Sequence, residues 1–134
     1  MKFSAFIDSK EDNHSVKVIS KGVTKELQVG SGTDGFGSAI NGGEFLFLAV
    51  ATCFCNDLYR EAKKRGITLE TVRVEASGEF SAEGEPGYNL TYSAKVEGDA
   101  PKEELNRLIE ETDKVAEIHN TLRKGVAVTL LKDD

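Results

Sequence analysis

Cys53 and Cys55 are the residues of this 134-residue chain best suited to nucleophilic or redox chemistry. They stand two positions apart in one apolar segment, FLFLAVATCFC, which runs from Phe45 to Cys55. A structural disulfide needs facing Cβ vectors, and closing so small a loop is geometrically poor. The thiols therefore read either as core side chains or as reactive groups. No C-x-x-C spacing occurs, and His14 and His119 stand alone in the sequence. A zinc site built from Cys and His ligands has no support, and no metal or cofactor is expected.

The element that must position the thiols is a helix. Residues from Asn41 to Arg65 contain no Pro and no internal Gly after Gly43, and Gly66 makes a natural C-terminal stop. Phe45 to Ala51 place apolar side chains around the whole helical circle, the pattern of a helix buried on all sides. A subunit of this size can hardly enclose such a helix alone, so a homodimer is expected. Beyond Ala51 the helix acquires two faces. Cys53, Asn56, Asp57, Arg60 and Lys64 share a polar face, while Phe54, Cys55, Leu58 and Ala62 share an apolar one. The two thiols lie about 200° apart. Cys55 reads as a core residue. Cys53 falls where the fully buried half meets the polar face, at the mouth of any cleft there. Asp57, four residues on, disfavours a thiolate, and Arg60 favours one if its side chain folds back. The competing reading of Cys53 is a half-buried cysteine in an interface.

Around this helix the chain reads as one α+β domain, residues 1–134, without repeats or linkers. Ser15–Ser20 and Val23–Val29 alternate and form a hairpin-like pair. Gly30 to Gly43 is a glycine-rich loop whose aromatic is Phe36. Leu69–Phe80 and Asn89–Glu97 form a second hairpin across the turn at Pro86. A second helix follows Pro101, with Leu105, Leu108, Ile109 and Thr112 on its apolar stripe. Gly125 ends it, and Val126–Leu131 reads as a closing strand.

Composition excludes several classes. Against 17 basic residues stand 23 acidic ones, a net charge of −6. The basic residues are not gathered in a stripe, so nucleic acid is not an expected partner. The longest nearly apolar run has 11 residues, too short to span a bilayer, so no membrane association is expected. Met1 to Asp8 shows no secretory h-region, which makes a reducing cytoplasm the expected location.

The segment GGEFLFLAVATCFCNDLYREAKKRGI, Gly42 to Ile67, followed by LETVRVEASGEF, resembles the OsmC/Ohr family of osmotically inducible and organic hydroperoxide resistance proteins. The resemblance runs over about residues 15 to 131 and includes the strand pair, the Pro-led helix and the VAVTLL segment. It implies an intertwined homodimer with curved antiparallel sheets and a long central helix. It also implies peroxidase chemistry of the peroxiredoxin kind, in the setting of oxidative stress: a thiolate attacks a peroxide, becomes a sulfenic acid and is resolved by a second cysteine.

The resemblance carries over unevenly. Cys53 falls on the peroxidatic position. Glu44 matches the second acidic position of the family motif, and Gly43 stands where the hydroperoxide-resistance branch has its catalytic glutamate. No arginine precedes Arg60 to match that branch's N-terminal arginine. In the stretch AEIHNTL, Ala116 replaces the resolving cysteine. His119, close to that position, reads as a surface histidine, with a base or donor for Cys53 as its alternative role.

Two functions follow as expectations. One is a degenerate or one-cysteine thiol peroxidase for organic hydroperoxides, with Cys53 as nucleophile, Glu44 and Arg60 as its catalytic companions and an external thiol as reductant. The other is a non-catalytic dimeric protein binding a small apolar or electrophilic ligand. Phe36, Asn56, Asp57 and His119 are the candidate binding residues for either. A homologue retained only for an interaction is a third reading. A Cys53 pKa below that of a free cysteine favours chemistry, and one at or above it favours binding.

Overall fold

The computed structural model describes residues 1–132. They form a mixed α+β chain with antiparallel strand pairing throughout and three helices. Two compact units are present, Met1–Phe45 and Leu46 onward.

The first unit is a three-stranded meander of β1 (Phe3–Lys10), β2 (Asn13–Ser20) and β3 (Val23–Leu27). The β2–β3 turn has both central residues, Lys21 and Gly22, at positive φ (50° and 75°), which matches the twist of the flanking strands. The period-2 pattern predicts this pair and buries Val16. It does not reveal β1. Phe3, Phe6 and Ile7 are exposed, so β1 has no one-sided apolar alternation and is held through its backbone ladder to β2, Phe3 opposite Ser20 and Lys10 opposite Asn13.

α1 (Gly42–Lys64) starts with a reciprocal cap. The Asn41 Oδ1 accepts the Glu44 N–H at 2.8 Å, and a Glu44 carboxylate oxygen accepts the Asn41 N–H at 3.0 Å. The helix ends at Gly66, φ 67°, where the Ile67 N–H reaches the Ala62 carbonyl at 2.9 Å and the Gly66 N–H reaches that of Lys63 at 3.2 Å.

In the second unit β4 (Leu69–Glu79) and β5 (Tyr88–Gly98) pair antiparallel, with Val72 opposite Val96 and Val74 opposite Ala94. These side chains pack against a core of Phe54, Leu58 and Ala62 from α1, Leu69, Ala116, and Leu105 and Leu108 from α2 (Lys102–Val115). Each large side chain taken fully from water contributes about 1.5–3 kcal/mol. The second helical stretch is broken. Ala116, extended at φ −76° and ψ 110°, separates α2 from α3 (Glu117–Lys124), which Gly125 closes at φ 65°.

Two expectations change. Val126–Leu131 pairs with no strand among the described residues, and Val128 is 99% exposed. An alternating apolar segment becomes a strand only where an edge accepts its hydrogen bonds. The half of α1 expected to be enclosed is enclosed only in part: Val50 is buried, whereas Leu48 is 56% exposed.

Candidate active site

Cys53 sits on the side of α1 that α3 covers. The extended backbone at Ala116 turns the chain so that the backbone N–H of Ile118, in the first turn of α3, comes near the Cys53 sulfur and favours its charged form. The thiol is half-buried and packs against the core. One helical turn on, Asp57 accepts its S–H, with Sγ 3.4 Å from Oδ2. Asp57 is itself buried, contrary to the solvated polar face that the helical spacing suggests, because α3 closes over it.

Arg60 does not fold back onto the sulfur. Its guanidinium lies 3.1 Å from Asp57 Oδ1, 3.0 Å from Glu117 Oε1 and 2.9 Å from Glu61 Oε2. Glu61 is held in addition by Lys64 at 3.0 Å. Arg60 thus reaches Cys53 only through Asp57. Glu117 completes the group, and the sequence patterns did not single it out. Its signal is its position, the first residue of α3 next to Ala116.

Burial pushes the Cys53 thiol above its ordinary value. The Ile118 N–H opposes the shift, and the negative charges of Asp57 and Glu117 add to it. Asp57 is raised as well, first by burial and then by the nearby Glu117 carboxylate, against the pull of Cys53 and Arg60. Glu117 is lowered, chiefly by its own backbone N–H. One ligand atom each from Cys53, Asp57 and Glu117 lies within 4.8 Å of the others, close enough to hold a metal ion. The Arg60 guanidinium already supplies a positive charge to both carboxylates, which leaves little electrostatic reason for a second cation.

The remaining candidates lie elsewhere. Glu44 is engaged in the cap of α1 with Asn41. Phe36 is exposed in the glycine-rich loop of the first unit. Asn56 is exposed beside Cys55, where both line a shallow depression with Ala51, Thr52 and Val74. Cys55 is therefore not a core residue. Both thiols are half-buried; Cys53 packs against the main cluster, and Cys55 lies outside it.

His119 corrects the sequence reading too. It is buried rather than on the surface, with its ring 4.4 Å from that of Tyr92 and 5.5 Å from that of Phe54. Neither ring nitrogen has a hydrogen-bond partner among the described residues. Burial, with Arg123 nearby, lowers its pKa. Tyr92 donates its hydroxyl to Asp113, which Arg123 also holds at 2.6 Å.

Beside this aromatic cluster runs a groove of about 670 Å³. Its walls include Leu46, Phe47, Phe80, Tyr88, Leu90 and Leu122. Val50, one turn before Cys53, and His119, next to Ile118, line it as well. The half-buried sulfur therefore lies within one helical turn of an apolar groove, although Cys53 is not one of its walls. No described helix is long and apolar enough to cross a membrane.

The family model for OsmC-like protein matches residues 35–131. No curated protein matches the chain in sequence. Among solved structures, an OsmC-like protein from Mycoplasma pneumoniae is similar at 20% identity and a TM-score of 0.59, over 90% of this chain and 87% of that one. An OsmC-like protein of unknown function from Vibrio cholerae gives 12% and 0.62, over 90% and 93%. An organic hydroperoxide resistance protein from Legionella pneumophila gives 19% and 0.55, over 90% and 89%. At these identities the structural likeness shows the fold alone.

Proposed function

We propose, from the premise that this chain belongs to the OsmC-like protein family, that it reduces organic hydroperoxides with Cys53 as the nucleophile. The observation that carries this reading is the setting of one sulfur: half-buried, hydrogen-bonded to a carboxylate, close to the start of α3 and within a turn of an apolar groove. The groove suits a hydroperoxide with an aliphatic or aromatic body. Its reductant is an external thiol. Ala116 stands in the place of a resolving cysteine, and Cys55 opens onto a different depression.

The working form is a homodimer in the cytoplasm. Leu48 and the Val126–Leu131 segment present apolar surface that a second copy would cover. Exposure to cumene hydroperoxide in the presence of dimedone is expected to label Cys53 as the trapped sulfenic acid and to leave Cys55 unlabelled. An unlabelled Cys53, under conditions that label a control peroxidase, ends this reading.

The raised thiol pKa favours a second one: a ligand-binding protein of the same fold, using the groove without turnover. It requires thermal stabilisation by a non-reactive apolar compound such as cumyl alcohol in the absence of any sulfenic acid.

A further inference from the structure

A thiol that keeps its proton at neutral pH must lose it during attack, and the residues around Cys53 offer a route. We propose that Asp57 is the proton relay of the site, taking the Cys53 proton as the sulfur attacks and returning it to the leaving oxygen. This inference rests on the hydroperoxide reading.

The geometry is specific. The S–H points at Asp57 Oδ2 (3.4 Å) while Arg60 fixes the other oxygen, Oδ1, at 3.1 Å. The carboxylate is thereby held in one orientation with one oxygen free for the thiol. The nearby Ile118 N–H favours charge on the sulfur as it develops there. Asp57 is buried, which limits competition from water for the oxygen that faces the thiol. The groups facing it are Cys53 and Arg60 on α1 and Glu117 on α3, with Glu61 behind Arg60. Burial raises its basicity toward the operating pH, which is what a general base needs.

The step balances. The Cys53 S–H bond breaks and its proton passes to Asp57. The sulfur electron pair forms a bond to the distal peroxide oxygen as the O–O bond breaks. The leaving alkoxide takes the proton from Asp57 and departs as the alcohol. Cys53 is left as a sulfenic acid, and Asp57 returns to its starting state. An external thiol reduces the sulfenic acid in later steps.

The test is the pH profile of Cys53 oxidation by cumene hydroperoxide, followed as sulfenic acid between about pH 5.5 and 8. With the relay, wild type shows a plateau wherever Asp57 is charged and the thiol is protonated. Asp57→Asn converts the plateau into a slope of about tenfold per pH unit and lowers the rate at pH 7 by roughly a hundredfold. Iodoacetamide alkylation of the same variant does not fall, because loss of a neighbouring negative charge favours the thiolate. Glu117→Gln, at an exposed side chain, keeps the plateau and moves its acid edge. A wild-type slope of tenfold per unit, or an Asp57→Asn rate equal to wild type, overturns the relay and leaves the hydroperoxide reading standing. A wild type inert to hydroperoxide overturns both.

Discussion

Cys53 keeps its proton at neutral pH because burial and two neighbouring carboxylates outweigh one backbone N–H. Alkylation of Cys53 against pH is therefore expected to show a midpoint above that of free cysteine; a midpoint below it contradicts the electrostatics described here. His119 gives a second prediction at this scale. Its folded pKa lies below the ordinary 6.5, so as pH falls the unfolded chain takes up the proton first. The stability that neutral His119 supports is present above the unfolded value and is lost as pH falls through the folded one. His119→Phe places an apolar ring between Phe54 and Tyr92 and removes that loss. Its melting temperature is expected to exceed that of wild type by a wider margin at about pH 5.5 than at about pH 7.5. An equal margin at both contradicts the assignment. The sequence pointed to Cys53 and Asp57 through their i,i+4 spacing on one helix. It could not show which side of that helix α3 covers, and that contact decides the burial of Cys53, of Asp57 and of His119.

Elements were more legible than sites. The bounds of α1 follow from Gly43 and Gly66, and the caps at both ends are local chemistry written in adjacent residues. β1 was not legible, since a strand held by its backbone alone leaves no hydrophobic period. Nor was the break at Ala116, because a single extended residue between two helical stretches needs neither Gly nor Pro. Two predictions belong here. Glu44→Ala removes half of the capping box and is expected to cost about 1 kcal/mol in denaturant unfolding, with Cys53 alkylation unchanged. A loss of Cys53 reactivity without a loss of stability would make Glu44 part of the chemistry. Ala116→Cys sets a thiol at the start of α3, whose Ile118 N–H lies near Cys53. Hydroperoxide treatment of that variant is expected to yield an intramolecular disulfide with Cys53, seen by peptide mapping. Persistent sulfenic acid without a disulfide contradicts the proximity of the two positions.

For the whole molecule, the apolar circle on α1 from Phe45 to Ala51 implies more cover than the single chain supplies, and Leu48 remains exposed. Leu48→Glu is expected to shift sedimentation from dimer to monomer; a wild-type monomer contradicts the dimer outright. Family membership and fold followed from the Gly42–Ile67 segment and its flanking order. Activity did not, because function lies in the few side chains around one sulfur rather than in the fold. The most direct measurement is consumption of cumene hydroperoxide with dithiothreitol as reductant, for wild type, Cys53→Ser and Cys55→Ser. Wild type and Cys55→Ser are expected to consume many equivalents per chain, and Cys53→Ser none above buffer. Equal consumption by Cys53→Ser, or none by wild type, contradicts the account.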